Sequence, residues 1–312
     1  MQEQVFLKPY TTFQMGGPAR YFCQVQSLED LRYALDFAYN HHLPVGIIGA
    51  GCNMLVQDQE LPAVIIKLAI KDLEVTDQTI YAGAGVPLSS LVAQAHAHDL
   101  VGLAWAPSVP ASVGGAIRGN AGAFGGETQD FLTAVRVWRN GQVLDIPRDQ
   151  LEFSYRYSSF KHPDNRDIIL GAWFTLEKGD GDQGKKDVAR YIQQKQQNQP
   201  VGIPCSGCIF QNYQGTITDS KLCEQFPELQ AFNQNQLIPS GYLIDKAGLK
   251  GVRYGGVMVS EKHANYLLNP EKQARYEEVL YLISHIKRTV KDSFGVTLTE
   301  EAVYLHEHLF YI

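Results

Sequence analysis

Pro110-Ala111-Ser112-Val113-Gly114-Gly115-Ala116-Ile117-Arg118-Gly119-Asn120-Ala121-Gly122-Ala123-Phe124-Gly125-Gly126 is too long and too glycine-dense to be a turn. Without Cβ atoms, backbone N–H groups can come close enough to ring a pyrophosphate, and the small neighbours leave room for a flat cofactor. Asn120 lies within it, with a side-chain amide that can both donate and accept toward a cofactor ring or ribose. A second stretch of the same character, Gly49-Ala50-Gly51-Cys52-Asn53-Met54-Leu55, follows the strand-like run PVGIIG at 44–49. Glycine after a strand is ordinary turn punctuation when it stands alone, so the longer segment carries the argument. Neither segment has the Gly-x-Gly-x-x-Gly fingerprint with an acidic residue about 20 positions on, and there is no Walker lysine pattern. Two dinucleotide cradles outside the Rossmann design are therefore expected.

Around these cradles the chain alternates helical and extended patterns. Ser27 and Asp30 form a capping box ahead of Leu28, Leu31, Leu35 and Ala38, which predicts a helix over about 28–42. LSSLVAQAHAHDL predicts another from about 88. Asn140-Gly141 between VRVWR and QVLDI is a hairpin signal, because both turn positions favour positive φ. The polar, Gln-rich run at 178–200 reads as loop, helix and a Pro-terminated boundary, with a second domain from near Val201. Asn269 and Pro270 read as the cap and first position of a long helix through about 294, closed by Gly295. VTLTEEAVYLHE reads as a terminal strand.

The chain has 312 residues, 45% apolar and 19% charged, with 27 basic against 33 acidic side chains for a net −6. This composition excludes a disordered chain and argues against a nucleic-acid or membrane-surface partner, which demands clustered Lys and Arg. No apolar run approaches the roughly 20 residues of a membrane span, and MQEQVFLKPY lacks a signal-peptide pattern, so a cytoplasmic protein is expected. Five cysteines, Cys23, Cys52, Cys205, Cys208 and Cys223, make a sparse odd set rather than a disulfide framework. A zinc site at Cys205-x-x-Cys208 would need two further ligands at suitable spacing, and none follows. A redox pair there would open a helix, whereas a strand-like IFQN comes next. No metal is expected.

Thr12-Phe13 with Gly16-Gly17-Pro18-Ala19, then GAGCNML at 49–55, then PASVGGAIRGNAGAFGGE from Pro110 resemble, in order and spacing, the flavin domain of the UDP-N-acetylenolpyruvoylglucosamine reductases, the MurB family. The resemblance continues through FSYRYSSFK at 153–161, SGCIFQN at 206–212, GYLIDKAGLKG at 241–251 and GGVMVSEKHAN at 255–265. It implies an α+β fold. A FAD-binding domain of the PCMH/vanillyl-alcohol-oxidase type would lie in two subdomains, 1–70 and 71–198, the first completed by the terminal strand near 298–312. An α+β substrate-binding domain would span 199–297. It also implies noncovalent FAD, since GAGCNML has no histidine to attach it, with NADPH as co-substrate. UDP-N-acetylglucosamine enolpyruvate would be the substrate, and the chain a monomer. With no long insertion between about 161 and 200, the chain resembles the form lacking the extra tyrosine-bearing substrate loop.

The implied reaction adds hydride to an enolpyruvyl methylene and leaves negative charge in the adjoining carboxylate, which needs a fixed cation and a proton donor in a dry site. Arg156 is the implied cation, and Glu301 the implied acidic partner, for which a raised pKa is expected. Glu300 should face the opposite way. Cys208 stands where many members place serine. A thiol, with a reference pKa of about 8.5, is a stronger acid than an alkyl hydroxyl, so little tuning is expected for it to donate a proton. Tyr155, Asn212, Lys262 and Asn265 are implied substrate or support contacts. Pyrophosphate contacts are expected from the backbone of Gly49, Ala50, Gly51, Cys52, Asn53, Met54 and Leu55. Further contacts are expected from Pro110, Ala111, Ser112, Gly114, Gly115, Asn120, Ala121 and Gly122. Gln211 and Tyr213 replace the family's usual lysine and proline, so a charge contact is not carried over to Gln211. The run from Gln214 to Pro239 reads as a peripheral insertion, with a substrate lid as the alternative. His263 reads as a structural hydrogen-bonder and stays outside the core set. Two other readings remain open: another noncovalent flavoenzyme of the same superfamily, or a non-catalytic flavin or UDP-sugar binding relative.

Overall fold

The computed structural model describes residues 1–311. A mixed sheet opens the fold, in the order Gln2–Phe6, Pro18–Val25, Leu61–Leu68, Val45–Ile48. Its last three strands run parallel. Leu61–Leu68, flanked by parallel strands on both sides, reads as a near-continuous apolar run buried at most positions, whereas Pro18–Val25 keeps Arg20 and Gln24 exposed. Helix Leu28–Asn40 crosses this sheet. The Ser27 hydroxyl accepts from Asp30 N at 3.1 Å and the Asp30 carboxylate accepts from Ser27 N at 3.0 Å, so the expected capping box forms.

A five-stranded antiparallel sheet follows, ordered Gln142–Pro147, Leu132–Arg139, Ile168–Thr175, Thr79–Gly83, Leu73–Thr76. The Asn140-Gly141 hairpin forms with both φ values positive, at 47° and 84°. Helices Leu88–Ala97, Val113–Gly119 and Gly181–Asn198 flank this sheet. The last of these begins at Gly181, inside the run read as loop, because the Asp180 carboxylate caps the amides of Asp182 and Gln183. One apolar core, from Val25 and Leu31 to Val135 and Phe174, joins the two layers.

The C-terminal sheet runs Cys205–Cys208, Tyr266–Leu268, Val257–Val259, Arg253–Tyr254 and packs on helices Ser240–Lys246 and Tyr276–Phe294. Phe13, Met15 and Leu55 belong to its core although they lie early in the chain. The long helix starts at Tyr276, not Asn269. Asn269 instead ties separated segments together: its fully buried amide donates to Phe13 O at 2.9 Å and accepts from Ala274 N at 2.9 Å. The actual cap is at Arg275, whose N–H reaches the Glu278 carboxylate at 2.9 Å. The terminal segment is also not one long strand. Val303–Tyr304 pairs parallel to Met54–Leu55 before a 3-10 turn at Leu305–His308, and on either side lone antiparallel bridges join Glu300 to Phe210 and Phe310 to Val45. Glu301 N and Ala302 N both donate to Ile209 O, which bends the chain out of a strand path.

The 214–239 run, read as a peripheral insertion, packs onto the C-terminal core. Helices Ser220–Gln225 and Leu229–Gln234 are held by a short pairing of Tyr213–Gln214 with Leu237–Ile238. Ile217, Leu229 and Ile238 are buried in the C-terminal core, and the Phe226 ring meets Phe294 with centroids 5.4 Å apart. Burial of those apolar side chains holds the segment down rather than leaving it free to close over a site.

Candidate active site

Arg156 sits in the two-residue turn of a hairpin pairing Phe153–Ser154 with Tyr157–Ser158. Its φ of 56° is in the left-handed region, a strained setting for a side chain of this size, and cross-links hold it there. The guanidinium donates to Gly122 O at 3.0 Å and lies 3.1 Å from a Glu301 carboxylate oxygen. Its carbonyl accepts from Lys161 Nζ at 2.6 Å, and its guanidinium carbon stands 5.0 Å from the Tyr155 ring centroid. The cation is therefore aimed before any substrate arrives, the condition for electrostatic stabilisation without reorganisation.

Glu301 comes in from the C-terminal segment. Its amide donates to Ile209 O at 2.7 Å, and its carbonyl accepts from the Asn53 side chain at 3.0 Å. Burial pushes its carboxyl above the ordinary value, against the pull of Arg156 and Lys161. Glu300 faces away, paired with Lys287 at 2.6 Å and with the Tyr304 hydroxyl. Alternation along an extended backbone separates the two glutamates as expected.

Cys208 ends the strand Cys205–Cys208, which carries a bulge: Cys205 pairs with Leu268 but Cys208 pairs with Tyr266. Gly207, at φ 79°, makes the irregularity possible. The thiol is pushed up to about 12, first by burial and then by the Glu301 charge. The expectation of little tuning is thus corrected: the site makes Cys208 a weaker acid than a free thiol and keeps its proton in place at neutral pH.

A cavity of about 360 Å³ joins these groups. Arg156, Cys208 and Glu301 line it, and so do Tyr155, Asn212, Lys262 and Asn265. Not all of these offer free polar atoms. Both ends of the Asn265 amide clamp the backbone of Phe210, at 2.9 and 2.7 Å, so Asn265 supports the wall. Asn212 N donates to the Tyr155 hydroxyl at 3.3 Å, and the Asn212 side-chain Oδ1 accepts from Ser240 N at 3.3 Å. Lys262 Nζ reaches Gln196 O. His263 also lines the cavity, where its Nδ1 accepts from Asn265 N at 3.4 Å, a structural bond.

Among polar lining residues, sequence reading missed Tyr242, Asp245 and Lys250, the last two an ion pair at 2.7 Å. Their signal was present within GYLIDKAGLKG, as a polar set on an otherwise apolar turn. Tyr266 was also missed. Its hydroxyl donates to Gln199 at 2.8 Å and it is the cross-strand partner of Cys208, yet its sequence context YLL reads only as buried strand.

The glycine segments pack against each other. A Cβ on Gly49 would stand 2.6 Å from Ser112 Oγ and 3.9 Å from Gly115 N, and one on Gly51 only 2.0 Å from Tyr10 O. Ser112 Oγ is buried with no hydrogen-bond partner at the start of helix Val113–Gly119, beside Gly115. An unsatisfied hydroxyl at a helix start, ringed by glycines, fits an anionic cofactor group. Lys67 Nζ caps Gly49 O. Cys52 is half-buried, its thiol pushed up to about 11 chiefly by desolvation, and Met54 and Leu55 pair with the terminal strand. Ala50 lies partly exposed at the start of this loop, and Pro110 leads into the second segment on the surface.

Several residues expected to touch cofactor are instead engaged with protein. Asn120 is fully buried: its amide donates to Glu127 at 2.8 Å and Ser154 O at 2.9 Å and accepts from Gln129 N at 3.2 Å. Its expected amide contact with a cofactor ring or ribose is therefore corrected to a brace within the loop. Gly114 N is taken by Ala84 O at 2.9 Å, where the missing Cβ lets helix and strand approach. Ala111 and Ala121 likewise use their backbone groups on Leu88, Val109, Ala116 and Thr128, and Gly122 O serves Arg156.

A glycine cradle suited to an anionic cofactor beside a charged cavity is the architecture of a cofactor-dependent enzyme, and comparison with known proteins makes it a flavin-dependent oxidoreductase. Residues 19–146 match the model of a FAD binding domain, and 199–305 match that of the UDP-N-acetylenolpyruvoylglucosamine reductase C-terminal domain. The UDP-N-acetylenolpyruvoylglucosamine reductase of Carboxydothermus hydrogenoformans is 35% identical over 306 residues, 96% of this chain and 92% of that one. That of Caldanaerobacter subterraneus subsp. tengcongensis is 33% identical over 297 residues, 95% and 90% of the two chains. The crystal structure of the Thermus caldophilus reductase superposes with a TM-score of 0.76 at 31% identity, covering 96% of this chain and 97% of that one. The chain belongs to the UDP-N-acetylenolpyruvoylglucosamine reductase (MurB) family and is an FAD-containing enzyme. Among the described residues no helix is long and apolar enough to cross a membrane.

Proposed function

We propose that this protein reduces UDP-N-acetylglucosamine enolpyruvate to UDP-N-acetylmuramate in peptidoglycan precursor synthesis, acting as a monomer in the cytoplasm. Bound FAD supplies the hydride, which it takes from NADPH. Residues 1–70 and 71–198 form the flavin domain, with the terminal segment returning to it, and 199–297 close over the sugar nucleotide. Arg156 forks onto the substrate carboxylate and holds the negative charge that appears there on hydride addition. Cys208, kept protonated by its burial, delivers its proton to the carbon that carries that charge. Glu301, with a carboxyl raised by burial, fixes the Arg156 guanidinium. Tyr155, Asn212 and Lys262 lie where the sugar nucleotide would contact the wall.

The observation that carries this reading is the meeting of Arg156, Cys208 and Glu301 in one cavity from three distant segments. Under anaerobic conditions, NADPH should bleach the yellow enzyme and only the enolpyruvyl substrate should restore the colour. Bleaching with no recolouring by that substrate would reject the assigned reaction.

A further inference from the structure

A buried thiol that gives up its proton leaves a buried negative charge, which is costly unless a neighbour holds it. Around Cys208 the cations are already engaged. Three of them line the cavity with it. Arg156 lies 3.1 Å from Glu301 and donates to Gly122 O, Lys250 is paired with Asp245 at 2.7 Å, and Lys262 Nζ reaches Gln196 O. Lys195, which also acts on the thiol, is tied to Ser108 O. Glu301 opposes a charge on the sulfur, Cys205 carries no positive charge, the Tyr155 hydroxyl is engaged with Asn212 N, and burial keeps the His263 imidazole neutral. One polar group remains, the Tyr266 hydroxyl.

Tyr266 is the residue directly opposite Cys208 in the antiparallel pairing of Cys205–Cys208 with Tyr266–Leu268. Opposed residues of such a pair send their side chains to the same face, so ring and thiol stand side by side, with the hydroxyl hydrogen-bonded to the sulfur. The tyrosine is fixed at both ends. Its backbone N–H donates to His263 O at 3.0 Å, its carbonyl accepts from Ser260 N at 2.9 Å, and the His263 ring packs edge-on with centroids 5.0 Å apart. At the other end the hydroxyl donates to Gln199 Oε1 at 2.8 Å. Gln199 is itself anchored as the first residue past helix Gly181–Asn198, its N–H bonded to Lys195 O at 2.8 Å. A hydroxyl has one proton and two lone pairs. While that proton lies on Gln199, the phenol oxygen can accept from the thiol; a thiolate can only accept, and offers the same proton a charged acceptor.

We infer that Tyr266 is a positioning residue for the proton donor: it steadies the Cys208 thiol at rest and stabilises the thiolate by turning its O–H from Gln199 Oε1 to the sulfur. In the reaction the S–H bond breaks, its proton bonds to the substrate carbon, and its electron pair stays on sulfur. Tyr266 keeps its own proton throughout, and a proton from water restores the thiol once product has left the cavity. The catalytic consequence rests on the acid role given to Cys208 above; the hold on the thiolate does not.

The test reads the thiolate directly in the FAD-loaded enzyme without sugar-nucleotide substrate. Only thiolate reacts with iodoacetamide, so below the thiol pKa the alkylation rate of Cys208 follows its thiolate fraction. Tyr266→Phe keeps the ring and removes the hydroxyl. It should slow Cys208 alkylation about tenfold at about pH 9, the effect of losing a hydrogen bond to a charged group, followed by mass spectrometry of the peptide. Alkylation of Cys223, on helix Ser220–Gln225, should be unchanged in the same samples. Gln199→Leu removes the competing acceptor and should speed Cys208 alkylation severalfold, whereas a ring that merely packs would give no such opposite response. In stopped flow, Tyr266→Phe should be bleached by NADPH at the wild-type rate and recoloured by the enolpyruvyl substrate about tenfold more slowly. Unmoved Cys208 alkylation in Tyr266→Phe overturns the inference. Slowed alkylation with unmoved recolouring upholds the hold on the thiolate and strikes the acid role of Cys208 instead. If Tyr266→Phe fails to fold, Gln199→Leu decides, since unchanged or slower Cys208 alkylation there also overturns the inference.

Discussion

The glycine cradle and the substrate cavity solve their recognition problems with different material. The cradle is backbone: Gly49 and Gly51 leave no room for a Cβ, and neighbours 2.6 and 2.0 Å from where one would sit enforce that. The cavity is side chains, drawn from a hairpin turn at 156, a strand end at 208 and a returning tail at 301. A backbone site is contiguous and intolerant, so one added methyl damages it. A side-chain site is dispersed, so losing one group removes one function and leaves the rest standing.

The largest effect should follow from Gly51→Ala. The left-handed backbone at φ 70° costs about 1–2 kcal/mol for any side chain, and the overlap with Tyr10 O adds to it. The variant should purify colourless with a lowered Tm, read by visible absorbance and thermal melting; a yellow, stable variant would break the contrast drawn here. Arg156→Ala should retain FAD and reduction by NADPH yet slow substrate-driven reoxidation by about 10²–10³, measured by stopped flow.

Cys208→Ala should lose about 10² or more in the same half-reaction, while Cys208→Ser tolerates turnover. Equal reoxidation in the alanine variant would remove Cys208 from the chemistry. With the thiol pushed up to about 12, the wild-type half-reaction should show no loss from thiol ionisation near 8.5. Glu301→Gln, which keeps the shape but not the charge, should cost less than Arg156→Ala and flatten the pH dependence on the acid side, because a raised carboxyl titrates there.

The smallest effect concerns stability. His308 binds its proton less readily folded, near pH 4, than unfolded, near pH 6.5. Between those values the unfolded chain holds more protons, so apoprotein stability rises with pH across that window and is lost as pH falls through it. His308→Gln should reduce that slope, checked by urea melts of the apoprotein at pH 4.5 to 7, conditions chosen on the order of that window.

Sequence reading succeeded where the cause is local. Ser27 and Asp30 cap a helix because their spacing permits it, and Asn140-Gly141 turns because both residues accept positive φ. It failed where a distant partner competes. Asn269 looks like a helix cap, but Phe13 and Ala274 claim its amide; Asn120 looks free for a cofactor, but Glu127, Ser154 and Gln129 surround it. The 214–239 segment looks like an ornament by length, whereas Ile217, Leu229 and Ile238 bury it in a core supplied by other elements.

By itself the sequence determined that this chain carries two glycine-built cradles, an alternating helix and strand order, and the residue types Arg156, Cys208 and Glu301 suited to reductive chemistry. These depend on neighbours a few positions away. Tertiary structure alone decided that those three side chains share one cavity and that burial holds the Cys208 thiol protonated. The physical reason is that desolvation and Coulomb energies depend on distance in space, and a sequence records only distance along the chain.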